Sequence, residues 1–173
     1  YSTLLLKEDI AMRNGRPSRT AYKVALNVVT LGAKPGMDKI LPPGIVEATE
    51  RLLLASGVAS ERVVRWSRSQ RTVAVYEWFD WLLPGQFEAL AHRKAFCERQ
   101  VRDGIAAGAG QVLVLGAGYD TLGWRLAPEF TAVKFFEIDH PATANLKVKG
   151  VNAMGARENL TLIAEDQIGR AHV

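Results

Sequence analysis

Gly116-Ala117-Gly118 and the acidic pair Glu137 and Asp139 are the residues of this chain best suited to chemistry on a bound small molecule. The apolar run Val112–Leu115 leads straight into the glycines and reads as a buried strand. A strand ending in a tight glycine turn sets bare backbone against a ligand, because no side chain stands between them. An acid about 20 residues further on is where a strand–helix–strand unit presents a carboxylate to ribose hydroxyls. The combination points to a nucleotide-type cofactor.

A dinucleotide needs a third glycine, so that the following helix can aim its N-terminus at the pyrophosphate. Here Thr121 occupies the position three after Gly118, and Gly123 is offset by two. That substitution argues against an NAD-dependent oxidoreductase, the alternative enzyme class. S-adenosyl-L-methionine carries no phosphate. It requires a close glycine turn, an acid for the ribose, a polar or acidic group near the adenine and a partner for its amino-acid carboxylate. Gly116 and Gly118, Asp139, Asp166 and Arg93 can meet those four requirements.

The elements that must position these residues fall into two rhythms. Residues 1–110 show no strand alternation and read as helices separated by turn signals. Ser18 is placed to cap a helix to about Leu31, ended by Gly32 and Pro35. Pro43 opens a second helix that stops at Ser56-Gly57, and Ser60 caps a third. The aromatic cluster Tyr76, Trp78, Phe79 and Trp81 reads as a core plug where helices meet the sheet. The spacing predicts a long helix over about 86–107, with Leu90, Cys97, Val101 and Ile105 as its apolar stripe. Arg93 lies on or close to that stripe and needs a partner, because an unpaired buried charge is costly. Spacing leaves open whether that partner is an internal carboxylate or the carboxylate of a ligand.

Residues 111–166 change to an α/β rhythm. Strands are expected at Val112–Leu115, Val133–Ile138 and Leu160–Ala164. Helices are expected at Thr121–Leu126, before Pro128, and from Pro141 through Lys149. Such alternation implies a parallel sheet with right-handed crossovers. Ligands of these sheets sit beyond the carboxyl ends of the strands, where Gly116–Asp120, Glu137, Asp139 and Asp166 all fall. Asp120 is expected to stabilise the glycine turn and His140 to start the helix at Pro141.

Four segments together resemble the leucine carboxyl methyltransferase-like family of class I S-adenosyl-L-methionine-dependent methyltransferases. They are Arg93-Lys-Ala-Phe-Cys-Glu98, Leu115-Gly-Ala-Gly-Tyr-Asp-Thr121, Phe136-Glu-Ile-Asp-His-Pro141 with Lys147, and Asn159-Leu-Thr-Leu-Ile-Ala-Glu-Asp166. The similarity covers most of residues 84–166 in order and approximate spacing. The segment Ser18-Arg-Thr-Ala-Tyr-Lys23 is similar to the family's helical cap more weakly. The resemblance implies a doubly wound Rossmann-like sheet, with its first three parallel strands present here, preceded by a helical cap over 1–83. It implies methyl transfer from S-adenosyl-L-methionine to a carboxylate or hydroxyl oxygen of a small-molecule or carboxylate-bearing acceptor, without a metal. By the same resemblance Arg93 holds the methionine carboxylate, and Gly116, Ala117 and Gly118 pack backbone on the cofactor. Asp139 binds the ribose, Glu137 supports the strand end, Asp166 approaches the adenine and Lys23 makes a contact near the methionine end.

The chain departs from the family after Asp166, where the expected leucine is replaced by Gln167. The final Ile-Gly-Arg-Ala-His-Val matches a translated sequencing adapter, so 167–173 is expected to be a non-native tail. Without the family's later strands, β-strand one is expected to lack a neighbour. The fragment alone is then expected to bind cofactor poorly and to turn over little.

Composition bounds the rest. A chain of 173 residues with 48% hydrophobic and 23% charged residues has the balance of a globular protein with one sizeable core. No apolar run approaches the ~18 residues of a membrane span. The single cysteine, Cys97, allows no internal disulfide, which fits a cytoplasmic setting. The net charge of +4 is mild. Arg62, Arg65, Arg68 and Arg71 recur every third residue and are the sole support for a nucleic-acid-binding or interaction module. A solvated helix face is the expected reading, with no nucleic-acid partner.

Overall fold

The computed structural model describes residues 16–82 and 84–165. Helix α1 (Arg19–Gly32) begins where Ser18 turns its hydroxyl to accept the Ala21 N–H at 3.1 Å. The Ser18 N–H donates to Thr143 Oγ1 at 3.0 Å, which ties the start of α1 to a helix far along the chain. A single 3-10 turn (Met37–Lys39) leads to α2 (Ile45–Ala55). That helix starts two residues after Pro43, because Gly44 takes a left-handed conformation at the cap. Helix α3 (Glu61–Ser67) is capped by Ser60, whose hydroxyl accepts the Val63 N–H at 3.4 Å.

Helix α4 (Gln70–Leu82) is one the spacing does not reveal, since its aromatic residues follow no helical period. Its signal is Ser69, whose hydroxyl accepts the Thr72 N–H at 3.3 Å, as a capping serine does. The expected aromatic plug does not form around Trp78, which is 68% exposed. Tyr76 instead stacks on Phe87 with centroids 4.6 Å apart. The side chains of Phe79 and Trp81 lie outside the described part.

The long helix α5 (Gln86–Ala106) follows the predicted span, but its buried stripe is rotated. Phe87, Leu90, Ala91 and Glu98 are buried, whereas Cys97 is exposed. Val101 and Ile105 pack partly buried near the end of the same helix.

Three parallel strands follow, β1 (Gln111–Leu115), β2 (Lys134–Asp139) and β3 (Leu160–Ala164), in the order β1-β2-β3. Helices α6 (Leu122–Leu126) and α7 (Pro141–Met154) connect them. The α/β fold class expected from the alternation is the one observed. Helix α7 runs past Gly150 to Met154, further than predicted. A β-carbon on Gly150 would lie 2.8 Å from Leu52 Cδ1, so this glycine serves close packing of α7 on α2 rather than a helix stop. Register pairs Leu115 with Ile138 and Asp139 with Ala164, which aligns the strand ends.

Strand β1 is not the buried strand its composition suggests. Val112 and Val114 pack partly buried with Leu126 and Phe135, but Leu113 and Leu115 are 57% and 63% exposed. Among the described residues β1 pairs with β2 alone, and no helix covers the leucine face. The core sits on the other side. Ala25, Val29, Leu52, Leu53, Trp124 and Val151 join α1, α2, α6 and α7. Val28, Leu31, Ile45, Phe87 and Leu90 lock α1 and α2 onto α5. The N-terminal helices therefore form a layer that reaches the carboxyl ends of the strands.

Candidate functional site

The glycine turn is built by one carboxylate. Gly116 and Gly118 take positive φ values of 60° and 51°, which glycine adopts without steric penalty. The Gly118 N–H donates to Asp139 Oδ2 at 2.6 Å, and the His140 N–H donates to Oδ1 at 2.7 Å. The Ala117 N–H donates to the Ile138 carbonyl at 3.1 Å. The end of β2 thus holds the turn after β1 through backbone and side chain together. A β-carbon on Gly118 would lie 2.9 Å from Cβ of Ala21, so this glycine admits α1. A β-carbon on Gly116 would meet no atom within 4 Å, so there the bare backbone faces open space.

That space is a cavity of about 440 Å³, within the ~300–1,000 Å³ of small-molecule sites. Ala21 and Ala25 of α1 and Ile45 and Thr49 of α2 form one wall. The turn Gly116–Asp120 and Asp139 form another, and Arg93 and Lys94 of α5 face in from the third side.

Its charges are arranged in layers. Lys94 forms a close ion pair with Asp120, whose other oxygen accepts the Leu122 N–H at 2.9 Å. Burial pushes the Asp120 carboxyl up. The Lys94 ammonium beside it, with help from Lys147 and the Leu122 amide, more than offsets this and holds it below the usual carboxylate range. Tyr119 is buried, and its hydroxyl has no hydrogen-bond partner among the described residues. Burial first, and the Asp139 charge second, push its phenol up to about 12. Glu137 lies deeper, 2.6 Å from Lys147 Nζ, with side-chain exposures of 1% and 3%. Its Oε1 also accepts the Gly123 N–H at 3.2 Å. A β-carbon on Gly123 would come within 2.7 Å of that oxygen, which is the reason for the offset glycine.

The fold therefore brings together Arg93, Gly116, Ala117, Gly118 and Asp139 around one cavity. Glu137 is buried behind the turn and does not line it. Lys23 is exposed on α1 and does not line it either. Asp166 lies outside the described residues, as do 167–173. Arg93 is exposed, contrary to its expected place on a buried stripe, and makes no ion pair among the described residues. The helix is rotated so that Lys94 takes the internal carboxylate. Lys94 was legible as Leu90 plus four and Glu98 minus four, the phase that the buried face follows. His140 caps α7, its Nδ1 accepting the Ala142 N–H at 3.3 Å in the assigned tautomer. Arg62, Arg65, Arg68 and Arg71 are exposed, but they straddle the break between α3 and α4 and form no single helix face.

Comparison with known proteins gives this geometry a family. A Bacillus subtilis protein named "Putative S-adenosyl-L-methionine-dependent methyltransferase YktD" is 40% identical over 55 residues, 32% of this chain and 18% of its own length. A Mycobacterium marinum protein carrying the same functional name is 39% identical over 79 residues, 43% of this chain and 25% of its own. Rv3787c of Mycobacterium tuberculosis, named likewise, is 31% identical over 116 residues, 65% of this chain and 36% of its own. The chain thus matches between 18% and 36% of the length of these relatives. The family model for leucine carboxyl methyltransferase matches residues 46–168, a stretch that takes in Arg93, the glycine turn, Glu137 and Asp139. With more than half of its 173 residues matched, the chain belongs to the leucine carboxyl methyltransferase family.

Proposed function

We propose that this chain forms the S-adenosyl-L-methionine site of an O-methyltransferase acting on a carboxylate or hydroxyl group. The observation that carries the reading is the cavity at the glycine turn, where Arg93 and Asp139 face one space from two sides. The residues fit the cofactor. Open space at Gly116 admits a nucleoside against bare backbone. Each Asp139 oxygen accepts one amide and keeps a further lone pair for a ribose hydroxyl. Arg93, free of an internal carboxylate among the described residues, offers a planar fork to the cofactor's carboxylate. Glu137 acts from behind, fixing the end of β2 through Lys147 and Gly123.

When bound, S-adenosyl-L-methionine supplies an electrophilic sulfonium methyl group. The protein's task is to hold an acceptor oxygen in line with it, and positioning of this kind contributes much of the rate. A carboxylate acceptor is already nucleophilic and needs no general base.

Thermal shift on the complete gene product carrying this chain tests the reading. S-adenosylhomocysteine should raise the melting temperature and NAD should not. The reverse pattern would transfer the site to a nicotinamide cofactor. Base-labile incorporation of a labelled methyl group would identify a carboxylate acceptor, and base-stable incorporation a hydroxyl.

A further inference from the structure

We propose that a second cleft, on the opposite face of α2, binds a small phosphate-bearing anion. Helix α2 separates the two spaces. Ile45 and Thr49 line the cavity at the glycine turn, whereas Glu47, Ala48 and Arg51 line a cleft of about 380 Å³ that shares no lining residue with it. Its other walls are Arg102 of α5, α6 with Glu129 after it, and the segment between α7 and β3.

Four arginines line this cleft, and they are not alike. Two are neutralised within the fold. Arg125 pairs with Glu98 at 2.6 Å and donates to the Pro43 carbonyl at 3.2 Å. Arg102 pairs with Glu98 at 3.2 Å and with Glu129 at 2.5 Å. The other two, Arg51 and Arg157, have no carboxylate within ion-pair distance among the described residues. Both guanidinium groups lie over the Trp124 ring, at 5.5 Å and 4.5 Å from its centroid. Arg157 Nε is buried and has no hydrogen-bond partner among the described residues. A buried, unmade charged hydrogen bond is costly, so this nitrogen is poised for an acceptor.

Trp124 is itself fixed, because its Nε1–H donates to the Gly155 carbonyl at 2.9 Å. The ring therefore gives both guanidinium forks a fixed aromatic partner at the wall of the cleft. Two such forks match a dianion with several acceptor oxygens, which is a phosphate group rather than a single carboxylate. The start of α2 adds to this. Gly44 caps it without a side-chain hydrogen bond, and Pro43 and Gly44 line the same cleft. The size of the cleft and the carboxylates of Glu47 and Glu129 on its walls select a small phosphorylated molecule over a nucleic-acid backbone.

Calorimetric titration of the complete gene product with inorganic pyrophosphate, at about 0.15 M salt, tests this. Saturable binding is expected. Arg51→Gln with Arg157→Gln should weaken it at least ~10-fold, as loss of two charge-assisted contacts requires. Arg157→Lys should weaken it as well, since it keeps the charge and loses the planar fork. Arg62→Gln, at an exposed arginine elsewhere, should leave it unchanged. Circular dichroism reports whether each variant folds, and Arg51→Gln alone changes only an exposed side chain. Absence of saturable binding, or binding indifferent to Arg51 and Arg157, overturns the proposal. So does a single-stranded RNA that binds far more tightly than pyrophosphate through the same two arginines.

Discussion

The two clefts on either side of α2 each rest on a buried ion pair, and the pairs are built differently. Behind the glycine turn, Glu137 meets Lys147 at 2.6 Å, with side-chain exposures of 1% and 3%. Behind the arginine cleft, Glu98 meets Arg125 at the same distance but also holds Arg102. The first is a single buried ion pair among the described residues, with Asp120 acting on Lys147 only at longer range. The second is a shared network, and Arg102 and Glu129 carry it out to the surface. A solitary pair fixes a strand end firmly and fails completely when one member is lost. A network spreads the same task over several partners.

The largest expected effect follows from this. Lys147→Met should destabilise the fold by about 3–5 kcal/mol, because it strands a buried carboxylate. Adding Glu137→Gln should recover part of that loss. Arg125→Met should cost less, about 1–3 kcal/mol, since Arg102 still faces Glu98. Urea unfolding of all three variants measures the difference. Equal losses for Lys147→Met and Arg125→Met would erase the distinction between a solitary pair and a network.

Cofactor affinity should separate the two walls of the first cavity. Asp139→Ala removes the acceptor of two backbone amides and lets the glycine turn relax. It should weaken S-adenosylhomocysteine binding by about 1–3 kcal/mol. Arg93→Ala acts at an exposed side chain and should lie at the low end of that range, near ~1 kcal/mol. Unchanged affinity in both variants would remove these residues from the proposed site.

The contrast between the clefts is also a contrast in legibility. The first is written largely in contiguous residues. A glycine turn, an acid at the end of the next strand and a parallel α/β rhythm each have a local sequence signal. The second is assembled from Gly44, Arg51, Trp124, Arg125 and Arg157, which lie on three separate stretches. Each of them alone reads as an ordinary surface or helix residue, and only packing of α2 against α6 and α7 brings them together. The errors have the same origin. Spacing puts Cys97 on the apolar stripe of α5 and Arg93 on or close to it, but the phase of α5 is set by Phe87, Leu90 and Ala91 packing on α1 and α2. Leu113 and Leu115 read as core because apolar residues in a strand read as buried. The missing neighbour of β1 is expected, but which face of a strand is covered by helices is not written within it.

A smaller, pH-dependent effect tests the layering of charge. The Asp120 carboxyl is held below its usual range in the folded protein, mainly by Lys94 working against burial. Its ionised form therefore contributes stability above the ordinary carboxylate pKa, and that contribution is lost as the pH falls through the folded value. Asp120→Asn should lower unfolding free energy near neutral pH and leave a progressively smaller deficit as the pH drops below about 4. A deficit that stays constant with pH would mean that Asp120 acts through the Leu122 amide and not through its charge.

The smallest effect is expected at Tyr119, and its sign is informative. The phenol is buried without a hydrogen-bond partner among the described residues, and burial with the nearby Asp139 charge keeps it protonated to about pH 12. An unmade buried hydrogen bond costs stability, so Tyr119→Phe should be neutral or stabilising, within about 1 kcal/mol. Tyr119 also lines the cavity at the glycine turn. If a bound ligand accepts a hydrogen bond from its hydroxyl, the same substitution should weaken S-adenosylhomocysteine binding while leaving the free protein no less stable. A variant that loses stability without ligand and keeps full affinity would place the hydroxyl in the architecture of the core, and the distinction between a cavity built for a ligand and a wall built for packing would have to be drawn on the other side of this ring.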